Sequence, residues 1–142
     1  MSDVLQLRIG TASFRARLRH DLAPRSCECL LAMLPYAGKL IHARWSGEAL
    51  WAPLAQAFPA GLRLPPELPV GDPRPGEILL YAGPLSEPEL YFPYGTNRFA
   101  CNAGKLAGNP VLVIADGLDR LAELGHEAQW KGAFELHIEV SP

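Results

Sequence analysis

The strongest constraint on this chain is how its apolar residues alternate. Residues 4–9 (VLQLRI) put Leu5, Leu7 and Ile9 on one face and Val4, Gln6 and Arg8 on the other. Residues 12–19 repeat the pattern, with Phe14, Ala16 and Leu18 set against Arg15, Arg17 and Arg19. A period of two is that of a strand with one buried face, and the Gly10-Thr11 link predicts a hairpin. Alternation returns at 38–45 and 133–140, and the runs at 76–83, 89–94, 97–101 and 110–115 also read as strands. Helical spacing is confined to 24–34, with Pro24 in the first turn and Pro35 after it, and to 116–125, where Gly125 is expected as the C-cap. Segment 46–58 reads either as a short helix capped by Ser46 or as an extended continuation of the preceding strand. The strands come in pairs and are not interleaved with helices. That pattern excludes a doubly wound α/β fold. It predicts a mostly β chain of about eight strands: a mostly antiparallel barrel or sandwich, its open ends plugged by two helices.

Length and composition fit that architecture. The 142 residues form one expected domain, 1–142, and 49% hydrophobic content supplies a core without staples. The net charge of −2 comes with no basic stripe, which argues against nucleic acid as partner. No apolar run approaches the roughly 18 residues of a membrane span. The start, MSDVLQLRIG, carries Asp3 and alternates at once, unlike a signal or transit peptide. Three cysteines (Cys27, Cys29 and Cys101) argue against a disulfide framework and for a reduced, cytoplasmic protein. No His pair has metal-ligand spacing, and AGKLAGN lacks the pattern of a phosphate loop. No metal and no cofactor are expected.

The stretch ELYFPYGTNRFACNAGKLAGNPV (89–111) is where function is expected. In its first six residues Leu90, Phe92 and Tyr94 share one face, and Glu89, Tyr91 and Pro93 the other. Both faces are apolar enough to be covered. The aromatic half then gives way to small polar residues, as in the wall and lip of a cleft. Arg98 is the nearby anion anchor, because a guanidinium fits a carboxylate. Glu87, on the short Ser86-Glu87-Pro88 turn, is placed to act as a base or to bind an amine. Asn109 either closes a local turn or offers its amide to a ligand. The expected ligand-binding set is Tyr81, Glu87, Tyr94, Arg98, Phe99 and Asn109, with Glu87 and Arg98 as the catalytic candidates. The Pro-rich segment 59–75 is expected as a rim. His42 and Arg44, on one strand face, form a secondary candidate site. Cys101 is a nucleophile only if a base stands close to it. Arg15, Arg17 and Arg19 are expected to face Glu135, His137 and Glu139 across paired strands as a charge ladder.

Three pieces carry a resemblance: HARWSGEALW (42–51), GEILLYAGPLSEPELYFPYG (76–95) and RFACNAGKLAGNPV (98–111). Together with the element order they resemble a bacterial family of unknown function with a cyclophilin-like fold. The resemblance implies a closed β-barrel with two helices and implies no particular reaction. The Phe-His-Arg strand motif of true cyclophilins is absent; the nearest text is His42-Ala43-Arg44. Prolyl isomerase activity is therefore not expected. The leading expectation is a protein that binds a small polar or anionic metabolite beside segment 87–109, with catalysis left open. The rivals are a peptide- or protein-interaction module and a homo-oligomer subunit.

Overall fold

The structure is a computed structural model that describes residues 3–59 and 62–142. Its strands are β1 (Val4–Ile9), β2 (Ala12–Leu18), β3 (Tyr36–His42), β4 (Gly47–Pro53), β5 (Glu77–Tyr81), β6 (Glu89–Asn97), β7 (Ala100–Cys101), β8 (Gly104–Lys105), β9 (Asn109–Ile114) and β10 (Phe134–Val140), and its helices α1 (Pro24–Ala32) and α2 (Leu118–Lys131). Eight strands close into a barrel in the order β1-β10-β3-β4-β6-β5-β9-β2, with antiparallel pairing throughout. The remaining two, β7 and β8, make a small hairpin outside it. The chain is thus mostly β, as the alternation predicts, and it is an eight-stranded closed barrel with two helices, as the resemblance implies. No helix among the described residues is long and apolar enough to cross a membrane.

The barrel interior takes the inward set of each alternating run. Leu5, Leu7, Ile9, Leu136 and Ile138 are fully buried there. The apolar sides of α1 and α2, including Leu30, Leu121 and Leu124, join the same core. Burying each such side chain is worth roughly 1.5–3 kcal/mol. A second, smaller core lies on the outer side of β4, β5 and β6 and contains Ala49, Leu79, Tyr81, Tyr91, Phe99 and Leu106. That explains why β6 is buried from Glu89 to Tyr94 without alternation. The sequence shows two apolar faces on this strand, and the fold covers both.

Of the two readings of segment 46–58 the extended one holds, with strand β4, and other local expectations change. Ser46 caps nothing; its hydroxyl donates to the Ala100 carbonyl and accepts from the Ala100 N–H, each at 3.1 Å. The last helix does not stop at Gly125 but runs through it to Lys131. Gly125 is needed for space, since a Cβ there would overlap the Tyr94 ring. Gly132, with φ of 94°, ends the helix in a conformation that side chains disfavour. Strands β2 and β10 do not pair, because β1 lies between them. The arginines and acids therefore communicate only through β1, as in Glu139–Gln6–Arg15. The small polar run 102–109 also holds a strand, β8, paired with β7.

The Pro-rich segment is anchored by polar contacts. The Glu67 carboxylate accepts from the N–H groups of Arg25 and Ser26 at 3.0 and 2.9 Å and from the Ser26 hydroxyl at 2.6 Å. It serves as the N-terminal cap of α1, whose own N-cap residue, Ala23, offers no side-chain acceptor. The Asn109 amide donates to the Ser26 hydroxyl and the Pro65 carbonyl, and its oxygen accepts from the Glu67 N–H. Residues 60 and 61 lie outside the described residues.

Candidate functional site

Pairing fixes what faces outward between β4, β6 and β5. Trp51, Tyr91 and Leu79 stand in one cross-strand row, and Pro53, Glu89 and Tyr81 in the next. The hairpin of β7 and β8 folds over part of this surface and is clipped to the 43–46 loop by Ser46. Phe99 is driven beneath it: its ring stacks on Tyr91 with centroids 4.3 Å apart and meets Tyr81 edge-on at 5.6 Å. Beside this roof a cavity of about 360 Å³ remains open. Its walls are Ala43–Ser46, Trp51, Ser86, Glu87, Glu89, Tyr91 and Ala100–Asn102.

Glu89 lies deepest among the charged groups, at 6% exposure. Among the described residues no hydrogen bond or ion pair reaches its carboxyl. Its row neighbours are a proline ring and a tyrosine. The Tyr81 hydroxyl instead accepts the N–H groups of Leu85 and Ser86, at 2.9 and 3.3 Å. That contact shapes the turn that carries Glu87 to the cavity mouth. Burial, with the nearby Glu87 charge as a second cause, pushes the Glu89 carboxyl up from 4.5 to about 8. The Tyr91 phenol, donating to the Asn97 side-chain oxygen at 2.8 Å, is raised as well, mainly by burial. Arg44 and Glu87 are exposed at the rim, and among the described residues neither is ion-paired. Trp45, 60% exposed, stands beside them. Cys101 is half-buried in the wall, and its sulfur accepts the Ala103 N–H at 3.4 Å.

The expected site residues divide. Glu87, Arg44 and Cys101 meet in the cavity. Tyr81 and Phe99 are buried behind it, as support. Tyr94 points into the barrel, where its hydroxyl is 2.7 Å from His42 Nε2. His42 Nδ1 lies 2.8 Å from the Ala43 carbonyl, which can only accept, so Nδ1 carries the proton and Nε2 accepts from Tyr94. His42 and Arg44 thus part company at the end of β3. Arg98 sits over a separate depression with Asp72 and Lys105. Asn109 is spent on Ser26, Pro65 and Glu67. The described part of 59–75 does not line the cavity.

Sequence reasoning did not single out Glu89 as a site residue. One signal pointed to Glu89: a lone carboxylate on a strand face shared with Tyr91 and Pro93. A charge on a covered strand is costly to bury and needs a reason.

The solved structure of McbB in complex with tryptophan shares this fold, with a TM-score of 0.74 at 21% sequence identity. The match covers 96% of this chain and 44% of that one, so the present chain spans less than half of that protein. No relative was found among curated proteins. Residues 5–140 match the family described as protein of unknown function (DUF3830), and the chain belongs to that family.

Proposed function

We propose that this protein binds a small polar metabolite in the cavity between residues 43–51 and 86–102, and that Glu89 gives up or takes a proton there as the ligand binds. One observation carries the reading: Glu89 is 94% buried by its 6% exposure, without a hydrogen-bonding partner among the described residues, and faces a cavity. A carboxyl raised to about 8 holds its proton near neutral pH yet can release it, which suits a general acid or base. The cavity is large enough for a small ligand and mixes aromatic walls with a few charges, as ligand sites do. That a protein with this fold was solved with tryptophan supports the small-molecule reading. The closed barrel with two helices supports the cyclophilin-like assignment. Of the residues expected from sequence, Glu87, Arg44 and Cys101 remain in the proposal; Arg98 does not.

A thermal-shift panel of amines, carboxylates and amides tests it, since a ligand specific to the folded state raises the melting temperature. The expected result is a shift that Glu89→Gln or Trp51→Ala weakens and Arg98→Ala leaves unchanged. A panel that shifts nothing, or a shift that Arg98→Ala abolishes and Glu89→Gln does not, overturns the reading.

A further inference from the structure

We infer that the ligand of this cavity is a cation, an alkylammonium joined to a flat apolar body, with the ammonium held between Glu87 and Glu89 and the body against Trp51 and Trp45. This rests on the cavity being the binding site.

Three features of the cavity converge on that chemistry. Two carboxyl groups enter from one short stretch, Glu87 at the mouth and Glu89 on the floor. Neither has a counter-ion among the described residues, although other surface acids do: Glu135 pairs with Lys39, and Glu123 with Arg120. The remaining walls carry Trp45, Trp51 and Tyr91. Aromatic faces attract cations through their quadrupoles, and tryptophan does so best. An anion entering here would meet the Glu87 charge at the mouth and, once the pH passes about 8, the Glu89 charge on the floor as well. The one cationic wall residue, Arg44, is at the exposed rim, so it is placed to take an acidic group of the same ligand and not to fill the floor.

A cation on the floor also changes the proton balance. The titratable and charged groups around Glu89 are Glu87 on the preceding turn, Arg44 on the 43–46 loop, Tyr81 on β5, Tyr91 on β6 and Cys101 on β7. In the empty cavity Glu89 holds its proton near neutral pH. An ammonium beside it stabilises the carboxylate, so binding expels that proton to solvent while the ligand keeps its own. Affinity for a cation therefore rises as the pH climbs from about 6 to about 8 and then levels off. An alkylammonium resembles that of Lys and stays charged to about pH 10.

The test uses three probes that share a phenethyl body and differ in charge: phenethylamine, 2-phenylethanol and 3-phenylpropionate. Binding is followed by tryptophan fluorescence in a Trp130→Phe background, because Trp130 is 87% exposed and away from the cavity. Phenethylamine is expected to bind at least about tenfold more tightly than 3-phenylpropionate at pH 8. Glu89→Gln should erase the preference and its pH dependence, and Glu87→Gln should reduce it. Glu89→Gln keeps the shape of the side chain, and its melting curve controls for folding. Equal or tighter binding of 3-phenylpropionate overturns the cation reading but leaves the site standing. If none of the three binds while a panel compound without a positive charge does so through Glu89, the cation reading falls alone. If no panel compound binds either, both readings fall together.

Discussion

The rings of Tyr91 and Phe99 stack 4.3 Å apart at 30°, so the cavity floor rests on a side chain from the strap above it. Phe99 is 1% exposed and does not line the cavity that holds Glu89. It acts on the site only through Tyr91 and Tyr81. Phe99→Ala should cost about 3–5 kcal/mol, as for other large buried aromatics. Phe99→Leu should cost less and keep the fold. Urea unfolding gives the numbers, and ligand binding by the folded Leu variant should weaken only modestly. A Phe99→Ala protein as stable as the parent would show that the outer core is not packed as described.

Burying Glu89 has a pH signature. Its folded value, about 8, lies above the unfolded 4.5. Below pH 4.5 both states hold the proton and the group contributes nothing. Between 4.5 and 8 the unfolded chain loses the proton first, so stability falls as pH rises. Above 8 the full penalty, on the order of a few kcal/mol, is in place. Glu89→Gln should therefore melt higher than the parent at pH 9, by roughly 5–10 °C, and at the same temperature near pH 4. Calorimetry across that range decides it; a constant offset at all pH values would deny the shift.

Glu67 carries the opposite sign. Burial acts to raise it, but the Ser26 hydroxyl and the N–H groups of Arg25 and Ser26 together hold it below 4.5. Its contribution is complete above pH 4.5 and is lost as the pH falls through the lowered folded value. Glu67→Gln should cost about 0.5–2 kcal/mol at pH 7, the range for a lost helix cap. The gap should close in acid. Asn109→Ala should loosen the same tie, visible as faster amide exchange at the Glu67 N–H, while leaving ligand binding intact. Loss of binding on that change would restore Asn109 to the site.

Much of the barrel was legible because alternation is local. Leu5, Leu7 and Ile9 declare their face within six residues, and β1 runs over the stretch expected, Val4–Ile9. The site was less legible because its walls come from three distant stretches, 43–51, 86–91 and 100–102. Whether Arg98 or Arg44 meets Glu87 depends on where a hairpin folds, and no periodicity encodes that. Asn109 and Ser26 are 83 residues apart, so the bond that removes Asn109 from the cleft leaves no mark in its neighbourhood. Tyr94 was assigned correctly to a strand and to the face it shares with Leu90 and Phe92, yet that face is the interior. Only Glu89 was both visible and passed over.

Tyr94 donates to His42 Nε2, and this bond stands apart from the cavity. Tyr94→Phe removes one partly buried hydrogen bond and should cost about 0.5–1.5 kcal/mol. It should leave probe binding unchanged, since the hydroxyl does not face the ligand. Nitrogen NMR of His42 should show Nδ1 protonated in the parent. A binding defect in Tyr94→Phe would place the ligand inside the barrel end instead.

Gly125, the expected helix stop, lies inside α2, and Gly132 is the residue that ends it. At Gly125 an alanine would gain helix propensity, worth up to about 1 kcal/mol. Its Cβ, however, falls within the Tyr94 ring, and that ring is 4% exposed between α2 and the barrel core, with little room to move. Overpacking of this kind costs about 1–3 kcal/mol, so Gly125→Ala should be destabilising on balance. At Gly132 nothing lies within 4 Å of a Cβ, but φ is 94°. Gly132→Ala should cost about 1 kcal/mol from backbone strain alone. The two variants differ in what rescues them. Tyr94→Leu makes space and should recover much of the Gly125→Ala loss, while doing nothing for Gly132→Ala. A double-mutant cycle by urea unfolding reads this directly. Additive losses for Gly125→Ala and Tyr94→Leu would mean that α2 sits farther from the barrel than described.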